Sequence, residues 1–421
     1  MIFQIEEVSL YIHFPKNNIK ETIIMKNTIL LLNSLWLFGL VACQPKPVAS
    51  LSECPVVNIR SALQEEAPIS MKEDVESIEY VPLETTDSCL ISNLMNLQVT
   101  ADYMFMYNGK TEEVLQFNRE GKFIRKIGCQ GNGPGEYGMI SDLAVDDRNK
   151  ELSLFQYGGD ALVYSYDGTF LRNDTTVKQA GGMYVFPDGK RALKGLVIKP
   201  FQQAPWAGAL QQPNGSLQEC KALFPSGLSR DVCFMKEICF SPSDERVLVF
   251  TACNDTVSAI SNNGIEPAYV LKRENPVEYY MDIANINKFG DKTVETDQVI
   301  GLYDLFESSH YLYLRLYKGD VLFIQRFDKK TGELKSQRIP KDYLECSNSI
   351  PGSNIIGIDN DIDGGIPFWP EYALADGERA QVVNADILSS LREKGYLKEA
   401  PAALNVGDDA NPVVILYKFK K

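Results

Sequence analysis

The sequence predicts an all-β fold: a six-bladed β-propeller of four-stranded antiparallel blades, closed by pairing of its N- and C-terminal strands and carrying short helical insertions. Three observations lead to this interpretation. A hairpin motif recurs along the chain, a glycine-rich loop separates two of its copies, and the first and last apolar segments each lack a neighbouring strand. Together they describe a ring whose two ends are joined.

The hairpin motif places alternating apolar residues on both sides of a polar turn that contains glycine. Its clearest copies run from Leu115 to Ile124 and from Val163 to Leu171. Asn or Asp close to Gly supplies the positive φ that a tight turn requires. Weaker copies follow, and the turn glycines at 121, 168, 215, 264 and 332 are spaced by 47, 47, 49 and 68 residues.

A hairpin repeated every ~40–50 residues, with two more short strands before it, is typical of a four-stranded propeller blade. Five hairpins and a C-terminal segment long enough for one more blade give six. A β-sandwich with long loops is the alternative, but the fixed register of the hairpins argues against it. The first blade is predicted at Asn96–Val99, Tyr103–Tyr107, Val114–Asn118 and Phe123–Ile127, and the second at Asp142–Val145, Glu151–Gln156, Ala161–Tyr166 and Thr169–Arg172.

Residues 127–138 form the glycine-rich loop, with five glycines and one proline in twelve positions. Such a density does not suit the interior of a helix or strand. Because apolar alternation lies on both sides, we expect this loop to carry the chain from the first blade to the second.

The two ends of the propeller, which spans residues 75–421, are predicted to pair in the last blade. Residues 75–83 alternate apolar and polar without a nearby partner, and residues 411–419 have no strand after them. Their pairing would leave no long open sheet edge. Two segments break the blade rhythm: an insertion at about 275–297, and a short helix from Asp386 that ends before Gly395.

Composition excludes several functional classes. The 421 residues carry a formal net charge of −14 and a pI near 4.8, which disfavours nucleic acid and docking on an anionic membrane. Eight cysteines follow Cys43, and none shows the CxxC spacing of zinc or redox motifs. Because a chain of this size can bury a large core, we expect free buried thiols rather than a disulfide framework.

The N-terminal region predicts a lipid-anchored envelope protein. Residues 25–42 have the positive start, apolar stretch and small residues of a signal peptide. Leu40 to Cys43 resembles a bacterial lipobox, which implies cleavage before Cys43 and acylation of its thiol. Residues 1–24 are interpreted as a gene-model extension, and residues 43–74 as the lipidated tether.

Few residues suit catalysis. His310 is the only histidine within the predicted propeller and is expected in a turn between two strands. Asp359, Asp361 and Asp363 precede a glycine as in a calcium loop, although position twelve is Pro370 instead of a glutamate. Calcium is the only metal or cofactor that the sequence suggests, and a tight turn is the better interpretation. Asp361 and Asp363 could alternatively serve glycoside cleavage.

Loops between blades, and those between second and third strands, should open on one face of a propeller. Aromatic, amide and carboxylate side chains there could bind a ligand by stacking and hydrogen bonding, although each could equally form its own turn. Trp369 could be a stacking platform or, preferably, a core residue. The candidate ligand-binding residues are Asn108, Glu136, Tyr137, Tyr157, Asp160, Asp255 and Trp369.

The chain resembles the six-bladed β-propeller lipoproteins of Bacteroides and their relatives, whose blades are similar to NHL repeats. The resemblance covers residues 75–421, and it implies the propeller fold and an outer-membrane lipoprotein that faces the periplasm. Most members have no assigned activity, so no catalytic residue is carried over. The motifs that carry it are residues 80–84, 127–137, 360–365, 368–370 and 411–413.

The function predicted from these observations is binding or scaffolding by a membrane-anchored propeller. Its partner would be a glycan, a peptide or another envelope protein, and its only membrane contact would be the lipid on Cys43. An enzyme that acts on polysaccharide through Asp361 and Asp363 is the alternative. An assembly role through the 275–297 insertion is a third hypothesis.

Overall fold

The computed structural model describes most of the chain from Cys54 onward. The segments 1–53 and 275–297, with Cys43 and the predicted insertion, lie outside the described residues. The described residues are 54–157, 160–177, 180–196, 206–221, 238–243, 245–251, 254–273, 300–319, 321–339, 356–374, 377–397 and 399–421.

Six four-stranded antiparallel sheets follow one another along these residues, which confirms the predicted propeller. Before the first blade lie β1 (Val56–Val57), the helical turn α1 (Ile59–Ala62), a 3₁₀ turn (Met71–Glu73) and β2 (Val75–Pro82). The first blade contains β3 (Leu94–Val99), β4 (Tyr103–Asn108), β5 (Glu113–Asn118) and β6 (Phe123–Ile127).

The glycine-rich loop joins the first blade to the second, as predicted. It contains two short strands that pair in parallel, β7 (Cys129–Gln130) and β8 (Glu136–Tyr137). The second blade contains β9 (Ile140–Asp146), β10 (Glu151–Gln156), β11 (Ala161–Ser165) and β12 (Phe170–Asp174). A 3₁₀ turn (Thr175–Val177) leads to the third, with β13 (Ala180–Val185), β14 (Arg191–Gly195), β15 (Trp206–Gln211) and β16 (Leu217–Lys221).

The remaining blades follow the same order from the first strand outward. The fourth contains β17 (Ile238–Pro242), β18 (Arg246–Thr251), β19 (Thr256–Ser261) and β20 (Gly264–Leu271). The fifth contains β21 (Ile300–Glu307), β22 (Tyr311–Lys318), β23 (Val321–Asp328) and β24 (Leu334–Arg338). The sixth contains β25 (Tyr372–Ala373), β26 (Arg379–Val383), β27 (Val413–Phe419) and, as its fourth strand, β2.

The ring is held together by apolar clusters between neighbouring blades. Each of the six clusters joins residues of two adjacent sheets, and one of them joins the sixth blade to the first. In that cluster Val414 and Leu416 of β27 pack with Met104 and Leu115 of the first blade. Burial of apolar surface on both faces of each sheet is therefore what closes the wheel.

The predicted closure by the chain ends is confirmed. Strand β2 pairs with β27 in antiparallel register, with Tyr80 opposite Ile415 and Val81 opposite Val414. The sixth blade consequently needs no fourth-strand hairpin of its own. This explains why the sequence shows five hairpin motifs for six blades.

The segment from Cys54 to Pro82, here called the N-terminal strap, touches three blades in succession. Val56 and Val57 pair in parallel with β20 of the fourth blade. Glu66 forms a bridge to Ser336 on the outer strand of the fifth blade, and β2 then completes the sixth. The strap thus runs along the outer edges of the fourth and fifth sheets and then provides the outer strand of the sixth.

Four of the five turn glycines lie between the third and fourth strands of a blade, and Gly264 is the first residue of β20; all five have positive φ. The predicted helix is also present, as α2 (Ala385–Glu393) between β26 and β27. Its apolar face, with Ile387, Leu388 and Leu391, packs into the cluster between the fifth and sixth blades. Within the described residues, no helix has the length and apolar character needed to cross a membrane.

Candidate ligand-binding cavity

A cavity of about 720 Å³ lies at the centre of the ring, lined by the first strand of every blade. Its wall includes most of β3 and β9 and parts of β13, β17, β21 and β25. This volume falls within the range of ~300–1,000 Å³ that small-molecule sites occupy. The cavity is therefore the main candidate for a ligand site in the described part of the chain.

A repeated β-bulge aims polar side chains at this cavity. In β3, β9 and β21 the pairing with the second strand skips one residue, at Met95, Ser141 and Tyr303. The residue that follows each bulge lines the cavity. A bulge bends the strand and redirects the next side chain. The residues placed in this way are Asn96, Asp142 and Asp304.

Asn96 and Asp142 connect the first two blades within the cavity wall. The Asn96 Nδ2 donates to Asp142 Oδ1 at 2.9 Å, and the backbone N–H of Leu143 donates to the same oxygen at 2.9 Å. Lys194 of the third blade places its Nζ 3.8 Å from Asp142 Oδ2. Burial raises the pKa of Asp142, and Lys194 and these hydrogen bonds oppose that effect only in part.

Gly182 makes room for the Asp142 carboxylate. The third blade has the same bulge at Gly181, so Gly182 occupies the position of Asn96 and Asp142 in its own strand. A Cβ at Gly182 would lie 2.3 Å from Asp142 Oδ2, which is too close for any side chain. Only glycine at position 182 leaves space for the Asp142 carboxylate in this orientation.

A second polar group lies across the cavity. The buried Arg315 guanidinium is 3.2 Å from Glu371 Oε1 and 3.5 Å from Asp304 Oδ2. The Leu305 N–H and the Cys239 thiol both donate to Asp304 Oδ1, at 2.9 and 3.3 Å. Both aspartates that follow a bulge are thus oriented by the backbone N–H of the next residue.

Arg379 fixes this side of the cavity from behind. Its guanidinium donates to the carbonyls of Pro242, Pro370 and Glu371, and so joins the fourth blade to the sixth. Burial lowers the pKa of Arg379 to about 10, although nearby carboxylates including Asp304 favour the charged form. The wall also presents three half-buried aromatic rings, Tyr184, Phe240 and Tyr372.

We call Asn96, Asp142, Lys194, Asp304 and Glu371, with Arg315 behind them, the polar belt of the cavity. None of the seven ligand-binding residues expected from the sequence lines this cavity. The sequence nevertheless contained a signal. Asn96, Asp142 and Asp304 precede the turn glycine of their own blade by 25, 26 and 28 residues, so the alignment that reveals the hairpins also aligns these polar positions.

Three of the seven expected residues hold connections between strands in place. Asn108 is buried; its Nδ2 donates to the Leu90 carbonyl at 2.8 Å. Glu136 accepts a hydrogen bond from the Gly133 N–H at 2.8 Å. Tyr137 is buried, and its hydroxyl accepts from the Val114 N–H at 3.2 Å, while burial raises the pKa of the phenol.

The other four fall at three separate places. Tyr157 and Asp160 are half-buried near the turn between β10 and β11, and the Asp160 carbonyl accepts from the Gln156 side chain. Asp255 accepts from Arg273 Nε at 2.9 Å. Trp369 is 1% exposed and packs against Phe306 and Arg315. It is therefore a core residue, which is the preferred interpretation of the sequence.

Asp361 and Asp363 bond to the N-terminal strap. Asp361 accepts from the Ser70 hydroxyl and the Met71 N–H, and Asp363 accepts from the Tyr80 hydroxyl at 3.0 Å. Asp359, the third residue of the calcium hypothesis, is exposed. Among the residues that the structure describes, no group of three or more His, Cys, Asp or Glu is arranged to hold a metal ion.

His310 lies in the turn between β21 and β22, as predicted. Its Nδ1 is 3.8 Å from Oδ1 of the fully buried Asp74, whose other oxygen accepts from the Tyr313 hydroxyl at 2.9 Å. Burial raises the pKa of Asp74. Asp74 also accepts the Lys420 N–H at its carbonyl, so this cluster lies where the chain ends meet.

The fold and cavity define the class: a six-bladed β-propeller with a polar, ligand-sized cavity along its axis. The chain belongs to the family described as "Domain of unknown function (DUF4934)", which matches residues 54–418. Among proteins with curated descriptions, none matches the sequence.

The chain is similar to solved structures at low sequence identity. A protein of Bacteroides fragilis NCTC 9343, whose name describes it as exported, is 16% identical with a TM-score of 0.61, over 87% of this chain and 100% of that chain. A member of the DUF4221 family from Bacteroides vulgatus ATCC 8482 is 10% identical with a TM-score of 0.43, over 82% and 97% of the two chains. The first likeness supports the propeller architecture alone.

Proposed function

We propose that the protein is a binding propeller of the bacterial cell envelope and that its ligand occupies the central cavity. The observation that carries this proposal is the polar belt inside a cavity of about 720 Å³. Polar groups fixed in a concave, partly aromatic wall are the usual composition of a ligand site. Their prior orientation lowers the entropic cost of binding.

Binding is favoured over polysaccharide cleavage by the positions of the carboxylates. Asp361 and Asp363, on which the enzymatic alternative depends, bond to the strap, and neither lines the cavity. The carboxylates of the polar belt are held by Asn96, Lys194 and Arg315. Carboxylates fixed in this way are oriented to accept hydrogen bonds from a ligand.

The cavity proposal is tested by filling the cavity. Val185 lines it and is half-buried, so Val185→Trp should occupy part of its volume. Leu171→Trp is the matched control, because Leu171 is 44% exposed on the outer strand of the second blade. Glycan and peptide libraries are screened by ligand-observed NMR. Ligands should bind the wild type and Leu171→Trp but not Val185→Trp, and equal binding by all three contradicts the proposal.

The proposed address is a lipid anchor on Cys43 in the outer membrane, with the propeller facing the periplasm. The signal-like residues 25–42 and the lipobox before Cys43 support it. Metabolic labelling with an alkyne fatty acid should mark the wild type and a Cys54→Ser control, but not Cys43→Ser. Labelling of Cys43→Ser would overturn the anchor without affecting the cavity proposal.

A further inference from the structure

We infer that the ligand of the central cavity is a short neutral oligosaccharide, held through its hydroxyl groups by the polar belt. This inference rests on the proposed binding function and names the chemistry of the ligand. It follows from the cations that accompany the carboxylates of the belt, from the way in which these carboxylates are fixed, and from the aromatic rings between them.

Each carboxylate of the belt lies beside a cation. Asp142 is next to Lys194, and Asp304 and Glu371 are next to Arg315. The rest of the lining adds the charged residues Asp146, Asp147, Arg148 and Lys421, so the wall as a whole is slightly acidic. A strongly charged ligand would leave like charges desolvated beside it, which is costly. A neutral ligand avoids this cost.

The belt offers both hydrogen-bond donors and acceptors in fixed positions. Asp142 and Asp304 are each oriented by the N–H of the following residue, and each also accepts from a neighbouring blade, from Asn96 and Cys239. A sugar hydroxyl donates one hydrogen bond and accepts others, so it can bond to a carboxylate and to Lys194 or Asn96 together. Preorganised planar groups of this kind bind hydroxyls at little entropic cost.

The rings of Tyr184, Phe240 and Tyr372 come from three different blades, the third, fourth and sixth. Aromatic faces provide large, rigid apolar surfaces for the C–H faces of sugar rings, while the polar groups beside them select the hydroxyls. Because the rings and the belt surround the axis, a ligand of several linked rings can contact more of them than a single ring can.

The inference is tested with defined trimers of different charge. Isothermal titration and saturation-transfer NMR compare neutral trisaccharides (maltotriose, cellotriose, xylotriose and N-acetylchitotriose) with anionic trigalacturonate, cationic chitosan trimer and a triglycine peptide. At least one neutral trisaccharide should bind, and the charged trimers and the peptide should bind at least tenfold more weakly.

Two variants connect the binding to the belt. Asp142→Asn and Lys194→Met should each weaken the neutral trisaccharide at least tenfold, whereas Asp188→Asn, in a surface turn, should not. Either variant suffices if the other fails to fold, which circular dichroism shows. Binding of the peptide or a charged trimer in preference to every neutral one overturns this inference but leaves the cavity proposal intact. Neutral binding that survives both folded variants and Val185→Trp overturns both.

Discussion

Arg246 and Glu307 form a two-pronged ion pair across the boundary between the fourth and fifth blades. Arg246 Nε donates to Glu307 Oε1 at 2.7 Å, and the second nitrogen donates to Oε2 at 2.8 Å. The Tyr269 hydroxyl and Lys329 Nζ reach the same carboxylate at 3.0 and 3.2 Å. Burial alone would raise the pKa of Glu307, but these donors and cations outweigh it and lower the pKa to about 2.

Glu307→Gln should destabilise the protein by roughly 3 kcal/mol at neutral pH, since breaking a buried ion pair leaves Arg246 without its charge partner. Because the folded pKa lies below the ordinary value of 4.5, the stabilisation is complete above that value and is lost as the pH falls toward about 2. The free energies of unfolding of wild type and variant, measured by urea denaturation, should therefore converge in acid. Glu113→Gln, in a surface pair with Lys126, is the control and should change stability by less than about 0.5 kcal/mol. A pH-independent difference would contradict the assignment.

Gly121→Ala should cost more than Gly215→Ala, although the two turns are equivalent in their blades. Their φ angles are +80° and +83°, so the backbone strain of about 1–2 kcal/mol is common to both. A Cβ at Gly121 would lie 2.4 Å from the Pro82 carbonyl of the closing strand, whereas nothing lies within 4 Å at Gly215. We expect an additional loss of about 1–3 kcal/mol at Gly121. Equal thermal midpoints for the two variants would show that the closing strand yields without cost.

Asn411→Ala should destabilise the ring closure. Asn411 is buried; its Oδ1 accepts from the Ile91 N–H at 2.8 Å, and its Nδ2 donates to the Glu84 and Cys89 carbonyls. Removing the amide takes the partner from two buried backbone groups, the Ile91 N–H and the Cys89 carbonyl, and leaves the Glu84 carbonyl with only the Cys89 thiol. We expect a loss of roughly 2–4 kcal/mol. Asn405→Ala, at an exposed position, is the control. Chemical denaturation measures both, and similar midpoints would contradict the role of Asn411.

Asp142 should make the protein less stable as the pH rises. Its pKa in the folded state is raised above the ordinary value of 3.8 by burial, so the folded protein holds a proton that the unfolded chain releases. Stability is therefore highest below that value and falls as the pH rises through the folded pKa. The stability of Asp142→Asn relative to wild type should therefore increase as the pH rises above that value, as measured by denaturant midpoints, while that of exposed Asp188→Asn should not. A constant difference between wild type and Asp142→Asn would count against the burial argument.

The parts of the fold that the sequence predicted are those with local signals. A positive φ demands glycine within a few residues of each hairpin, so Gly121 and its counterparts could be aligned without a structure. Strand β3 begins at Leu94, two residues before the Asn96 that the alternation predicts, because the bulge at Met95 interrupts the pattern.

The site was not predicted because its residues meet only when the ring closes. Asp142 and Asp304 lie on different blades, and only their similar spacing to the turn glycine of each blade distinguishes them from ordinary strand residues in the sequence. The residues expected on the loops are polar side chains in turns, but they are polar for a reason other than ligand binding. Asn108 and Glu136 are polar because they bond to nearby backbone groups, which is the commonest use of such side chains in turns.

The N-terminal strap determines how the molecule would respond to a mechanical load applied at its N-terminal end. A pull on Cys54 would act first on the two paired residues at β20, then on the bridge between Glu66 and Ser336, and only afterwards on the eight residues of β2. These short contacts would therefore break before the load reached β2, the strand that closes the ring.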